Sequence, residues 1–213
     1  MVIPAEAFQP IIEELIRRPL ETNKYRLKSG LGKSQCFGVV NRRSMPPDYS
    51  RNCWTRPYLY KLLLEFAEKY VTIPYTSITV NQNYKAKAHK DKGNKGESFL
   101  VAFGNYTGGN LKILEGELMG EHDVRTPLIT DFSKILHEVQ EFQGERYSLV
   151  FYTINPTNLQ NAPTLPPPSV IKSGNKFYFK RGDEIIKDGL PHPLKGRTVG
   201  ITKVYEPVLV SFT

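Results

Sequence analysis

Residues 132–153 read "FSKILHEVQEFQGERYSLVFYT". From Arg146 onward the stretch is rich in β-branched and aromatic residues, the composition of a strand. Alternate residues of a strand face opposite sides. Tyr147, Leu149 and Phe151 therefore share one face, and Arg146 and Ser148 share the other. The first face suits a hydrophobic core. On the second, a buried guanidinium requires a carboxylate, because an unpaired buried charge is very costly. No acid follows in the strand. A bound dicarboxylate would fill that role, gripped in bidentate fashion by Arg146 and hydrogen-bonded by Ser148.

Upstream, "TSITVNQ" (76–82), "ESFLVAFGNY" (97–106) and "NLKIL" (110–114) have the same strand-like composition. Gly108-Gly109 separates two of these segments as a hairpin turn would. The chain starts differently. Phe8, Ile11, Ile12, Leu15 and Ile16 recur at helical spacing over 5–18, and Pro19 ends the run. A second helix is expected from Pro57, with Leu59, Leu62, Leu63 and Phe66 as its buried stripe. Helices first and strands afterwards predict an α+β chain, mainly β, with an antiparallel core backed by helices on one side.

Between the helices, residues 24–56 form a basic segment, expected as a loop with a turn at "MPPDYS" (45–50). Lys24, Arg26, Lys28, Lys33, Arg42, Arg43, Arg51 and Arg56 stand there against Asp48 alone, interleaved with Tyr25, Phe37, Tyr49 and Trp54. Residues 156–169 are rich in Pro and polar residues and read as a linker. Beyond them, "KFYFKRGDEIIKDG" (176–189) predicts a hairpin at Gly182-Asp183, and "RTVGITKVYEPVLVSFT" (197–213) one or two further strands. So short a tail is marginal for a core of its own. The expected organisation is a main domain over 1–155 and a small β-rich extension over 156–213 that packs on it.

Composition narrows the options. The chain has 213 residues, with 39% hydrophobic and 11% aromatic content, enough for a real core. A formal charge of +8 suits an anionic partner such as nucleic acid. Cys36 and Cys53 make neither a disulfide framework nor a CxxC metal site. No apolar run approaches the roughly 18 residues of a membrane span. Glu6, Glu13 and Glu14 stand where a signal peptide would be apolar. The expectation is a soluble intracellular protein, with no membrane association and no obligate protein partner readable.

His89-Lys90-Asp91 places an imidazole and a carboxylate two residues apart, on one side of an extended segment. Two ligands do not hold a catalytic iron. A 2-His-1-carboxylate site needs a second histidine and leaves coordination positions open. The remaining histidines are His122, His137 and His192. His137 has the best context, nine residues before Arg146.

Taken together, "AHKDKGNKGESFLVAFGNYTGGNL" (88–111) and "LHEVQEFQGERYSLVFYT" (136–153) resemble the Fe(II)- and 2-oxoglutarate-dependent dioxygenases. The likeness is greatest to the TET/JBP-type oxygenase domain and its small relatives, and covers about residues 36–154. The resemblance implies a double-stranded β-helix, a distorted jelly roll. It implies iron binding by His89, Asp91 and His137, and 2-oxoglutarate binding by Arg146 with Ser148 as second contact. Asn81 and Asn83 fall roughly where related nucleic-acid dioxygenases place an Asn-x-Tyr that touches the cosubstrate; the second position departs from that pattern. The implied reaction consumes O2 and 2-oxoglutarate, hydroxylates an unactivated C–H bond, and releases succinate and carbon dioxide.

For substrate, the TET/JBP likeness implies the 5-methyl group of a pyrimidine base, 5-methylcytosine or thymine, in DNA. Lysines 85, 87, 90, 92 and 95 surround the first ligands and suit phosphate contacts. A methyl carbon within a duplex must be flipped out to reach iron. Tyr49, Trp54, Asn94, Arg42 and Arg43 are the candidate substrate contacts. Two alternatives stay open: a prolyl-type protein hydroxylase of the same superfamily, and a nucleic-acid-binding jelly-roll module without turnover.

Overall fold

The computed structural model describes residues 2–22, 29–157 and 165–186. A 3-10 turn at Ala5–Ala7 and helix α1 (Gln9–Arg17) come first, then strands β1 (Gly30–Arg42) and β2 (Met45–Tyr49). Helices α2 (Asn52–Thr55) and α3 (Pro57–Tyr70) follow. Next are β3 (Ser77–Ala86), β4 (Asn94–Gly108), β5 (Leu111–Ile113), β6 (Gly120–His122), β7 (Leu128–Thr130), β8 (His137–Val139) and β9 (Phe142–Ile154). Strands β10 (Pro168–Ser173), β11 (Lys176–Arg181) and β12 (Glu184–Ile186) complete the described chain.

The larger sheet is antiparallel, in the order β2-β1-β3-β9-β4-β7. A smaller sheet has the order β6-β5-β8, and His89 extends it by bridging to His137. From β3 the chain alternates between them: β3 in the large sheet, His89 in the small, β4 in the large, β5 and β6 in the small, then β7, β8 and β9 crossing once more each. That alternation is the winding of a double-stranded β-helix.

The two faces of the large sheet have different jobs. Phe37, Ile78, Phe151 and Phe99 stand in one row across four strands. This face packs under the helices: Phe8 stacks on Phe103 at 4.4 Å, and Leu59, Leu63 and Phe66 of α3 are buried in the same cluster. Ile16, expected in the α1 stripe, is instead 65% exposed. The opposite face, with Leu100 and Ala102, meets Leu111, Ile113, Val124 and Phe132 in a second cluster between the sheets.

Several expectations need correction. "MPPDY" is strand β2 rather than a turn, and most of the basic segment is strand rather than loop. Pro46 and Pro47 are tolerated because β2 pairs only with β1, so it is an edge strand with one side needing no ladder N–H. Lys24, Tyr25, Arg26 and Lys28 lie outside the described residues. Gly108-Gly109 is not a hairpin turn: β4 and β5 belong to different sheets, and the two glycines, at φ 71° and 70°, carry the chain between them. At the other end, the expected linker already includes buried Leu165 and the start of β10 at Pro168. The hairpin at Gly182-Asp183 joins β11 to β12. Phe179 of β11 is fully buried against Tyr49, Trp54 and Tyr60. The strands expected within 197–213 lie outside the described residues.

Candidate metal centre

The three candidate ligands converge. One ligand atom from each of His89, Asp91 and His137 lies within 4.8 Å of the others. The backbone brings the two imidazoles together: His89 N–H donates to the His137 carbonyl and His137 N–H to the His89 carbonyl, each at 3.0 Å. Their ring centroids are 4.5 Å apart. Asp91 is set by its own N–H, which donates to Phe132 O at 2.9 Å. Its Oδ1 lies 3.3 Å from His89 Nε2.

Tautomers follow from backbone contacts. His89 Nδ1 lies 2.6 Å from Lys87 O, and His137 Nδ1 lies 3.0 Å from Ile135 O. A carbonyl oxygen only accepts, so each Nδ1 carries the proton and each Nε2 keeps the lone pair a metal needs. Burial pushes the His137 pKa down, favouring the neutral, ligating form; the carbonyl of Ile135 and the Asp91 carboxylate oppose this less strongly. The side chains of His89 and Asp91 are 31% and 22% exposed, so the site opens to solvent at those two residues. His122 is elsewhere, its Nε2 2.7 Å from Leu118 O, and His192 is outside the described residues.

A cavity of about 140 Å³ runs from the triad to Arg146. Arg146 is only 2% exposed. Its Nε donates to Gly109 O at 3.2 Å. Its guanidinium lies 5.4 Å from the Tyr106 ring centroid and 5.8 Å from that of Phe142. Burial draws its pKa down. Among the described residues, no carboxylate forms an ion pair with it. Ser148 lines the same wall, and its Oγ accepts from Asn81 Nδ2 at 3.1 Å. Asn81 Oδ1 is buried with no hydrogen-bond partner.

Asn83 is a correction. Its Oδ1 accepts the backbone N–H of Arg146 at 2.8 Å, and it does not line the cavity. It adopts φ 51°, and the β1–β3 register shifts beside it. This bulge reverses the alternation of β3. Thr79 and Asn81 face the cavity before it, and Tyr84 and Ala86 after it.

Of the expected substrate contacts, only Asn94 lines the cavity; its Nδ2 donates to Asp91 Oδ2 at 3.4 Å. Tyr49 is core, its hydroxyl donating to Pro166 O at 2.6 Å. Trp54 is core as well, stacked on Phe179 at 6.3 Å. Both are large apolar groups that gain more by covering the β11 face than by facing solvent. Arg42 donates to Pro46 O at 2.8 Å and lies 3.8 Å from Asp48, and Arg43 is exposed at the β1–β2 turn. Neither lines the cavity.

The sequence reading missed Thr79, Tyr84 and Tyr152, all of which line the cavity. Tyr152 was findable, since it continues the alternation of Arg146, Ser148 and Val150. Its hydroxyl lies 3.3 Å from Thr79 Oγ1. Of the lysines that flank the first ligands in sequence, Lys90 is ion-paired with Glu115 and Lys85 with Glu141. Lys87, Lys92 and Lys95 are exposed, with no ion pair among the described residues.

No protein-family model matches the chain, and neither does any curated protein. Solved structures do align. NgTET1 in complex with 5mC DNA shares 16% identity over 72% of this chain and 69% of that one, at a TM-score of 0.49. A prolyl-4-hydroxylase from Pseudomonas putida shares 14% over 71% and 87%, at 0.43. An oxidoreductase of the 2OG-Fe(II) oxygenase family from Burkholderia pseudomallei shares 18% over 66% and 74%, at 0.45.

Proposed function

We propose that this protein is an Fe(II)- and 2-oxoglutarate-dependent dioxygenase that hydroxylates the 5-methyl group of a pyrimidine base in nucleic acid, with DNA favoured. The observation that carries the oxygenase reading is Arg146, a buried cation without a carboxylate partner among the described residues, on the cavity that also holds His89, Asp91 and His137. A guanidinium in that setting calls for a ligand carboxylate. Two imidazoles and one carboxylate, on one side of a cation, suit iron with positions left open.

Bound iron and 2-oxoglutarate supply the oxidising power, with dioxygen consumed and succinate and carbon dioxide released. The chain's residues orient the participants. Arg146 binds the far carboxylate of the cosubstrate, backed by Gly109 and Tyr106. The Asn81 amide completes this grip when it turns over. Oδ1 then accepts the Ser148 hydroxyl proton, and Nδ2 donates to the ligand, leaving no buried acceptor unpaired. Thr79, Tyr152 and Asn94 add polar groups to the cavity wall that would face the substrate. Lys87, Lys92 and Lys95 neutralise phosphates around the opening. A flipped base would bring its methyl carbon into the cavity beside His89, Asp91 and His137, the residues that would hold the metal.

The test is mass spectrometry of nucleosides after incubation with methylated and unmodified DNA and RNA. The expected product is a hydroxymethyl base that requires both Fe(II) and 2-oxoglutarate. A hydroxylated peptide substrate, with every base left unmodified, would overturn the nucleic-acid reading.

A further inference from the structure

Strand β5 ends its register with β8 at Ile113, opposite His137. One residue on, Leu114 N–H still donates to Leu136 O at 2.8 Å. The Leu136 N–H is then met by a side chain in place of a strand carbonyl: Glu115 Oε1 accepts it at 2.8 Å. The same oxygen is ion-paired with Lys90 Nζ. Lys90 stands between His89 and Asp91, and Leu136 immediately precedes His137. One carboxylate oxygen thus reaches from the end of β5 to both segments that carry the triad.

Stability is not what this arrangement serves. The Lys90 and Glu115 side chains are 34% and 42% exposed, and ion pairs so exposed are weak. Its value is geometric. The backbone ladder fixes His89 against His137, and Lys90 carries that hold one residue further, toward Asp91. Contacts outside a ligand set orient the ligands and tune metal affinity. We infer that Glu115 is a positioning residue of the metal centre, a strut that holds the His89–Asp91 segment against the His137 segment through Lys90 and the Leu136 N–H. The inference rests on the metal-binding reading of the triad. Charge alone would act differently: through space, Glu115 attracts a metal cation and Lys90 repels it. A strut that needs both residues predicts weaker metal binding when either is lost, whereas charge alone predicts tighter binding without Lys90.

The test titrates the full chain with Mn(II), following free Mn(II) by electron paramagnetic resonance, for wild type, Glu115→Ala, Glu115→Gln and Lys90→Met. Glu115→Ala should raise the Mn(II) Kd about tenfold, the lower end of what outer contacts to ligands contribute. Glu115→Gln keeps an acceptor oxygen for both partners and should stay within about threefold of wild type. Lys90→Met should raise the Kd as well. The second readout is amide exchange of the metal-free protein. In Glu115→Ala the Leu136 and Asp91 amides should exchange about tenfold faster, with those of β10 and β11 unchanged, because the opening is local. Tighter Mn(II) binding by Lys90→Met, or equal losses in Glu115→Gln and Glu115→Ala, would assign the effect to charge and overturn the strut. Unchanged exchange at Leu136 and Asp91 would overturn it too. If wild type binds no Mn(II), the metal reading itself fails, and the exchange comparison still decides whether Glu115 joins the two segments.

Discussion

His89 and His137 hold each other through two backbone hydrogen bonds, each 3.0 Å long. This ladder pair brings together imidazoles 48 positions apart in the chain, before any metal is considered. Iron should therefore bind a site already built. We expect a chelator to leave the far-UV circular dichroism spectrum unchanged and to lower Tm by no more than mass action requires. Unfolding on chelation would mean that the metal, rather than the ladder, organises the ligands.

Arg146 should favour function at the expense of stability. A buried guanidinium without an acid loses hydration that the fold does not fully restore. Arg146→Met should leave the ligand-free protein melting no lower than wild type. Affinity for 2-oxoglutarate should fall by about 2–5 kcal/mol, the usual cost of truncating a buried charged contact. Calorimetry of both proteins with and without 2-oxoglutarate checks this. A variant that melts much lower yet binds normally would reverse the assignment.

Gly109 is predicted to tolerate no side chain. It sits at φ 70°, and a Cβ there would meet Arg146 Cδ and Nε at 2.9 Å. Gly109→Ala should displace the guanidinium and raise the 2-oxoglutarate KM, while metal affinity, measured by titration with Mn(II), stays near wild type because the triad does not touch this residue. Loss of metal binding in this variant would place Gly109 in a different role.

Alternation made much of the β core legible. Arg146 and Ser148 turn to the cavity, while Tyr147, Leu149 and Phe151 turn to the helices, as a period of two requires. Local propensity misled where tertiary context decided. "MPPDY" reads as a turn until β1 is seen to pair with it on one side only. Tyr49 and Trp54 look like base-stacking residues in a basic segment, but Phe179, over a hundred residues away, packs against both. Asn83 and Tyr84 exchange faces because of a bulge that no residue type announces. The Arg146–Tyr106 contact joins residues 40 positions apart and follows from the pairing of β4 with β9.

Iron held by His89, Asp91 and His137 beside a 2-oxoglutarate anchored by Arg146 should be visible in anaerobic absorption, because a metal-to-ligand band requires iron and cosubstrate in contact. Wild type with Fe(II) and 2-oxoglutarate should show a weak visible band that neither component gives alone, and Asp91→Ala should abolish it. Absence of a band in wild type, or an unchanged band in Asp91→Ala, would mean that these residues do not hold the iron.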